Sequence, residues 1–446
     1  MGWTRTTRVV ALGAALVATL TACGGSSGPT YAQSSPSSAA EITPSVNRAS
    51  PEAKAPVGDT VDGLEAFAAA FWKAAAKPDQ NLVFSPLSIG YAFAMLRVGA
   101  KGDTAAQIDK AFGFPAGVAE AFNAITAGLI TSTAPPVVTP APRGTAPESP
   151  SVDSDPPPAP PVVTIANALF AQQGYAMLPD FANTLGTQFG SAVQTTDFAQ
   201  QQAALNAINH WADVHTAGRI KTILDQLDPA TRLVLLNAVY LKASWTKAFT
   251  DAGKADFSAP DGKVSVPMMK REDEDFGYAS GSTWQAVTLP YFGNRLAMRV
   301  ILPRGSATPA DLMTAQVLAA AARTRTAAVN VTMPSFDFGS DLNLKQLLPK
   351  LGISDAFDPA AANLSAITTV EKLFASQAVH KANITVDRLG TTASAVTALG
   401  VSATAARIPT IPPIEFRVDR PFLFEIVDTK TGAPLFVGSV ANPTAT

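Results

Sequence analysis

From Leu235 the chain reads Leu-Leu-Asn-Ala-Val-Tyr-Leu-Lys-Ala-Ser-Trp and closes on Phe249, an almost unbroken apolar run. A strand with one wet face alternates apolar and polar residues, whereas a run without alternation carries apolar side chains on both faces. The stretch therefore reads as the central strand of a sheet covered on both sides. The chain has the material for it: 446 residues, 47% hydrophobic and 15% charged. A net charge of −2 with a pI near 6.0, and no basic cluster, argues against nucleic acid as a partner.

Residues 379–413 are unusual in a different way. The β-branched Ile384, Thr385 and Val386 open the stretch as a strand. After Gly390 comes a run of small residues, Thr391 to Ala398, with no charge and no side chain larger than Val. From Leu389 to Ile414 the only charged residue is Arg407. Exposed loops are usually polar and rich in Gly, Pro, Asn and Asp. This one reads as a strand able to slide into a sheet, because small side chains at alternate positions meet little steric or desolvation resistance.

The N-terminus is a targeting segment. Arg5 and Arg8 precede an apolar run from Val9 to Leu20, too short to span a bilayer comfortably. It ends in Leu20-Thr21-Ala22-Cys23 followed by Gly24-Gly25, which resembles a bacterial lipobox, where the Cys becomes the acylated first residue. Cys23 is the only cysteine, so an intramolecular disulfide is impossible. The expectation is a signal peptide over 1–23 and a lipid-modified (palmitate-type) Cys23 holding the protein on the outer face of the cell membrane. Residues 24–58, rich in Ser, Pro, Gly and Ala, read as a disordered tether averaging roughly 30–35 Å end to end. Gly24-Gly25-Ser26-Ser27-Gly28 matches a hydrolase G-x-S-x-G only formally, since neither a strand nor a helix flanks it.

The folded part, 59–446, begins with an apolar helical face at Leu64, Phe67, Ala68, Phe71 and Ala75. Ser85 suits a helix N-cap and Pro86 the first helical position. Residues 133–161 hold eleven prolines in 29 positions and read as a solvated insertion outside the core. Thr164 to Phe170 reads as a strand, and Ile208, Asn209 and Trp211 lie on a helix. At the C-terminus Ile414, Phe416 and Val418 alternate on a strand. Residues 421–427 and 434–443 then form a buried hairpin turning at Thr431-Gly432. The chain thus reads as a mixed α+β fold with helices at its N-terminal end.

Several of these strings resemble the serpin family of serine protease inhibitors. They are Asn81…Ser85-Pro86-Leu87-Ser88-Ile89 with Gly99-Ala-Lys-Gly102-Asp-Thr104, and Asn237-Ala-Val-Tyr240 with Trp245 and Phe249. Leu289-Pro-Tyr291, Met333-Pro-Ser-Phe336, the His380-Lys381-Ala382 element and the closing hairpin keep the family's order. The resemblance implies a serpin fold with three β-sheets and a mobile reactive-centre loop. It also implies a monomeric suicide inhibitor whose partner is a serine protease, or a cysteine protease, with no cofactor or metal. Its hinge falls on Gly390, Thr391, Thr392, Ala393, Ser394, Ala395, Val396 and Thr397. Counting from the hinge puts the cleaved bond at Thr404-Ala405, and counting back from Pro421 allows Arg407-Ile408.

Departures from the family pattern bear on the mechanism. The acidic residues usual just before Gly390 and just after Thr391 are replaced by Arg388, Leu389 and Thr392, and Val396 is slightly large for its place. The alternative is a non-inhibitory serpin acting as a binding or carrier protein, but such relatives tend to carry bulky, charged or Pro residues in the hinge. An uncleaved loop is expected to be exposed at Thr391, so Thr391→Arg should leave the uncleaved fold and the first cleavage almost untouched. An enzyme is not expected. His210 and His215 are five apart on a helix and point different ways, and His380 reads as a packed, hydrogen-bonded residue.

Overall fold

The computed structural model describes residues 40–42, 47–129, 158–216, 218, 220–228, 230–391 and 412–445, all within one unit that begins at Pro36. Two hydrogen-bonded sheets carry the fold. The seven-stranded sheet runs, in space, β1 (Ala40–Ile42), β4 (Val193–Thr196), β3 (Val162–Gln172), β5 (Leu233–Ser244), β13 (Gly390–Thr391), β12 (Gln377–Asp387) and β11 (Phe336–Asn343). The nine-stranded sheet runs β14 (Ile414–Arg417), β10 (Arg325–Pro334), β7 (Gly262–Ser280), β8 (Trp284–Pro290), β9 (Leu296–Pro303), β15 (Phe422–Asp428), β16 (Pro434–Val440) and β2 (Leu82–Phe84). A further strand, β6 (Thr250–Ala259), pairs β7 off this path. Three sheets were expected. They appear as two ladders because β7, 19 residues long, belongs to two of them at once.

The helices in the first half of the chain are α1 (Val57–Ala75), α2 (Pro86–Gly99), α3 (Gly102–Phe112), α4 (Val118–Ala127), α5 (Pro179–Thr184), which continues into a π turn (Leu185–Phe189), and α6 (Gln201–His215); shorter ones follow at Pro309–Leu312, Ala315–Ala322 and Leu344–Leu347. Ser85 caps α2, its Oγ accepting the Ser88 N–H at 3.1 Å, with Pro86 at the first helical position. Nearly every residue of α2 is buried, as expected of a helix that is apolar all round. It packs on β3 and β5 on one side and on β16 on the other, so it lies between the two sheets.

β5 is buried on both faces, as its sequence demands. Leu233, Leu235, Val239, Leu241 and Ala243 enter the main core with α2. Val234 and Leu236 face a second, smaller core with Phe170, Ile208, Ala212, Ile220, Ile223, Leu224 and Val379, beneath α6. This second core reaches only the lower part of the strand. Tyr240 and Lys242, higher on the same face, are half-buried.

The tether expected over residues 24–58 needs correction. Ala40–Ile42 pair antiparallel with the edge strand β4, the Ala49 N–H donates to the Thr187 carbonyl at 2.8 Å, and α1 already begins at Val57. An edge strand offers a row of unsatisfied backbone groups, which a short Ser/Pro-rich segment satisfies without any periodicity of its own. Of the Pro-rich insertion, residues 133–157 lie outside the described residues. Its last part meets the fold where the Ala159 N–H donates to Ser244 Oγ at 3.2 Å.

Candidate functional site

The site is the seam between β5 and β12. At its lower end the two strands pair directly and in parallel, Gln377 to Lys381 against Val234 to Ala238. Higher up this ladder stops, and β13 stands between them. Gly390 and Thr391 pair antiparallel with Asp387 and Val386 on one side and with Ser244 and Ala243 on the other.

The chain reaches this slot through a tight reversal. The Asp387 carboxylate accepts the N–H groups of Leu389 (2.7 Å) and Gly390 (3.1 Å). The turn is then fastened from outside: Trp245 donates its indole N–H to the Asp387 carbonyl and its backbone N–H to the Leu389 carbonyl, both at 2.9 Å. The Phe249 N–H donates to the Arg388 carbonyl (2.8 Å), and the Arg388 guanidinium donates to the Phe249 carbonyl (3.1 Å). Arg388, a departure from the family pattern, therefore braces the turn. Gly390 sits at φ 151°. A Cβ there would lie 2.1 Å from the Ala243 carbonyl oxygen and 2.8 Å from Ser244 Cα, so no side chain fits.

Thr391 is only 2% exposed, and its hydroxyl hydrogen-bonds the Tyr291 hydroxyl at 2.6 Å. The Tyr291 ring stacks on Trp245, centroids 4.4 Å apart and 6° from parallel. Burial pushes the Tyr291 phenol up, so it stays neutral. The expected exposure of Thr391 is thus overturned. The upper seam is wide enough to hold a third strand, so the first hinge residue already has a ladder and a polar partner, and Thr391→Arg cannot leave the uncleaved fold untouched.

The lower seam is locked by a buried polar chain. His380 faces Asn237 across the parallel pair and is fully buried. Its Nε2 accepts the Ser85 N–H at 3.0 Å, so Nδ1 carries the proton and donates to Asn237 Oδ1. Asn237 Nδ2 donates onward to Asn167 Oδ1 (2.6 Å), which also accepts from Ser88 Oγ (3.1 Å). The chain thus crosses β12, β5, β3 and the start of α2. Burial drives the His380 pKa down to about 3, partly opposed by the hydrogen bond to Asn237, so the ring is neutral. On the opposite face α6 and residues 220–227 cover the same rungs. At the foot of the seam is a cavity of about 560 Å³, lined among others by Leu224, Gln226, Lys345, Ser376 and Gln377.

Of the residues singled out from sequence, Gly390, Thr391 and His380 meet at this seam. Residues 392–397, Thr404, Ala405, Arg407, Ile408 and Cys23 lie outside the described residues. Sequence reasoning noted Trp245, Tyr291 and Asn237 without giving them a role. The signal was an Asn inside an apolar strand, which a buried sheet tolerates only with a partner.

The fold is a mixed α+β one whose seven-stranded sheet holds a two-residue strand between the upper ends of two parallel neighbours. Residues 62–443 match a family profile described as Serpin (serine protease inhibitor). A serpin-like protein of Thermococcus kodakarensis is 32% identical, over 86% of this chain and 85% of its own length. Human neuroserpin is 31% identical, over 82% of this chain and 87% of its own. The native-state crystal structure of the thermophilic serpin tengpin superposes with a TM-score of 0.75 at 25% identity, covering 91% of this chain and all of that one. The chain belongs to the serpin family.

Proposed function

We infer that this serpin is a suicide inhibitor of serine proteases, trapping the acyl-enzyme by completing the strand that β13 begins. One observation carries the reading. Gly390 faces Ser244 and Asp387, and each step along the hinge moves one residue back along both neighbours. Thr397 then arrives between Asn237 and His380, and Gly400 between Val234 and Gln377. Those are the pairs that already face each other in the direct ladder. Insertion therefore needs the strands to part but not to slip. The inward positions in this projection are Thr391, Ala393, Ala395 and Thr397, all small.

The protease nucleophile attacks the Thr404 carbonyl, the amine of Ala405 leaves, and the acyl-enzyme ester remains on the inserting strand. Each new ladder hydrogen bond contributes on the order of 1 kcal/mol, and a dozen give roughly 10 kcal/mol, the scale of a domain's whole stability. The uncleaved form is the strained one and uses its strain once. With Thr404-Ala405 as the cleaved bond, four residues extend past Gly400 toward the cavity at the foot. Cys23 is the lipid attachment that holds this monomer on the outer face of a bacterial membrane, where a secreted protease is its target.

The test is incubation with a panel of serine and cysteine proteases. A denaturant-resistant covalent complex is expected. Cleavage without any complex would instead favour a binding or carrier protein. Mass spectrometry of the released peptide assigns the bond: 42 residues from Ala405 to Thr446, or 39 from Ile408 to Thr446. Cys23→Ala should release the protein from the membrane fraction, and unchanged retention would refute the anchor.

A further inference from the structure

The loop proposed as the protease's target has two stems. The first leaves the seam at Thr391 and the second enters β14 at Ile414, with 22 residues between them. The short connection from β5 to β6, Trp245 to Phe249, reaches toward both. On the hinge side Trp245 and Phe249 hold the turn at Asp387–Leu389 through the bonds described above. On the other side the Phe249 ring lies against the Arg271 guanidinium, 5.6 Å from carbon to ring centroid, and Phe276 flanks the same cation at 4.8 Å. Arg271 Nη2 donates to Glu274 Oε2, and Lys247 Nζ donates to Glu274 Oε1 at 2.7 Å. The register carries this cluster to the second stem. Glu274 faces Val329 on β10, which faces Ile414, and Arg271 faces Val331, which faces Phe416.

Arg271 is the unusual member. Its side chain is 5% exposed, and among the described residues its Nε and Nη1 have no hydrogen-bond partner. Stability is a poor reason for such a residue, since packed apolar residues in place of a buried ion pair are often as stable or more so. What the guanidinium adds is geometry, a rigid plane that lies over an aromatic ring and points its charge at one carboxylate. We propose that Lys247, Phe249, Arg271 and Glu274 form a bracket that fixes the separation of the two loop stems, which makes them positioning residues for protease attack. A loop with its ends held at one separation samples fewer conformations that do not fit a protease cleft, so its bond is attacked more often per encounter. The effect ends with cleavage, because a severed loop no longer couples β13 to β14. The bracket therefore sets how fast the bond is attacked, and not how the acyl-enzyme divides between insertion and release. This rests on the reading that a protease attacks this loop.

The test compares full-length wild type with Glu274→Gln, Lys247→Met and Lys247→Arg, using pancreatic elastase and trypsin as probes. The Lys247 side chain is 66% exposed, so its variants leave the core in place. Two quantities are read: the second-order rate at which the loop is cut, with the bond assigned from the released peptide, and the number of molecules consumed per protease silenced. Glu274→Gln should be attacked about fivefold more slowly, the scale of one weakened charge-assisted hydrogen bond. Lys247→Met should be slowed less, and Lys247→Arg, which keeps the pair, should recover the wild-type rate. The number consumed per protease should stay at the wild-type value throughout. Equal cutting rates in wild type, Glu274→Gln and Lys247→Met overturn the bracket. So does a rise in the number consumed that matches the fall in rate, because a merely loosened seam would give that result. If wild type is cut in the loop but silences neither protease, the inhibitor reading fails while the cutting rates still judge the bracket. If neither protease cuts the loop of wild type, the loop is not the target and the bracket falls with it.

Discussion

The two ends of one seam are held by opposite means. At the upper end β5 and β12 have parted, and β13 fills the space with two residues, fixed by Trp245, Tyr291 and main-chain bonds to the turn. At the lower end the same strands pair directly, buried on both faces, with the His380–Asn237 chain on one side and the core under α6 on the other. A new strand is hardest to start, because its first residues are ordered before they gain much ladder. Here the start is already made. On the insertion reading proposed above, what remains for a cleaved loop is propagation against the lower lock.

The largest effect should come from the upper end. Thr391→Arg places a cation beside Tyr291 where only a hydroxyl fits, at a cost of about 3–5 kcal/mol for a buried charge without a partner. The variant should lose that much stability while still uncleaved, and urea denaturation measures it. Thr391→Ser keeps the hydroxyl and gives up one methyl, about 1 kcal/mol. An uncleaved Thr391→Arg protein as stable as wild type would show that β13 does not hold the upper end.

Much of this architecture was legible because it depends on local pattern. β5 has apolar residues on both faces, and it is buried on both. The N-cap at Ser85, the apolar face of α1 and the closing hairpin β15–β16 follow from residue types at fixed spacing. The strand Ala40–Ile42 was not legible, since Ala-Glu-Ile within a Ser/Pro-rich stretch has no periodicity. It exists because β4 presents an open edge far away in sequence. Thr391 was misplaced for the same reason. Its burial is set by how far apart β5 and β12 stand, a tertiary quantity that no residue near Thr391 encodes. Of the proposed hinge, Gly390 and Thr391 lie in the seam, and the small side chains that follow them are what the proposed insertion would require of composition.

The lower end can be probed by pH. The His380 pKa lies at about 3 in the fold against an ordinary value near 6.5. Below pH 6.5 the unfolded chain takes up a proton that the folded protein refuses, so stability falls as pH drops through that window toward 3. At pH 5 the loss attributable to His380 is about 2 kcal/mol. Glu65, whose carboxyl burial raises to about 7, acts in the opposite sense, adding stability as pH falls from 7 toward 4.5. Because Glu65 is present in both proteins, the difference between wild type and His380→Gln isolates the imidazole. His380→Gln should lose less stability than wild type between pH 7 and pH 5. Equal losses would mean that the neutral ring is not what locks the lower seam.

The smallest effect separates the two ends most cleanly. On α6, Asn209 holds the cover over the lower rungs: its Oδ1 accepts the N–H groups of Ile223 (2.8 Å) and Leu224 (3.0 Å), and its Nδ2 donates to the Leu224 carbonyl (2.8 Å). Asn209→Ala leaves those partly buried groups to water, at a cost of about 1 kcal/mol. The second core beneath loosens without losing an apolar atom. Hydrogen exchange should therefore quicken at the amides of Ala378 to Lys381 and Val234 to Ala238, roughly fivefold for that energy. The amides of Gly390 and Thr391 should keep the wild-type rate, since Trp245, Tyr291 and the Asp387 turn hold them independently. If both sets quicken together, the seam opens as one cooperative unit, and the lock and the nucleus are parts of a single device.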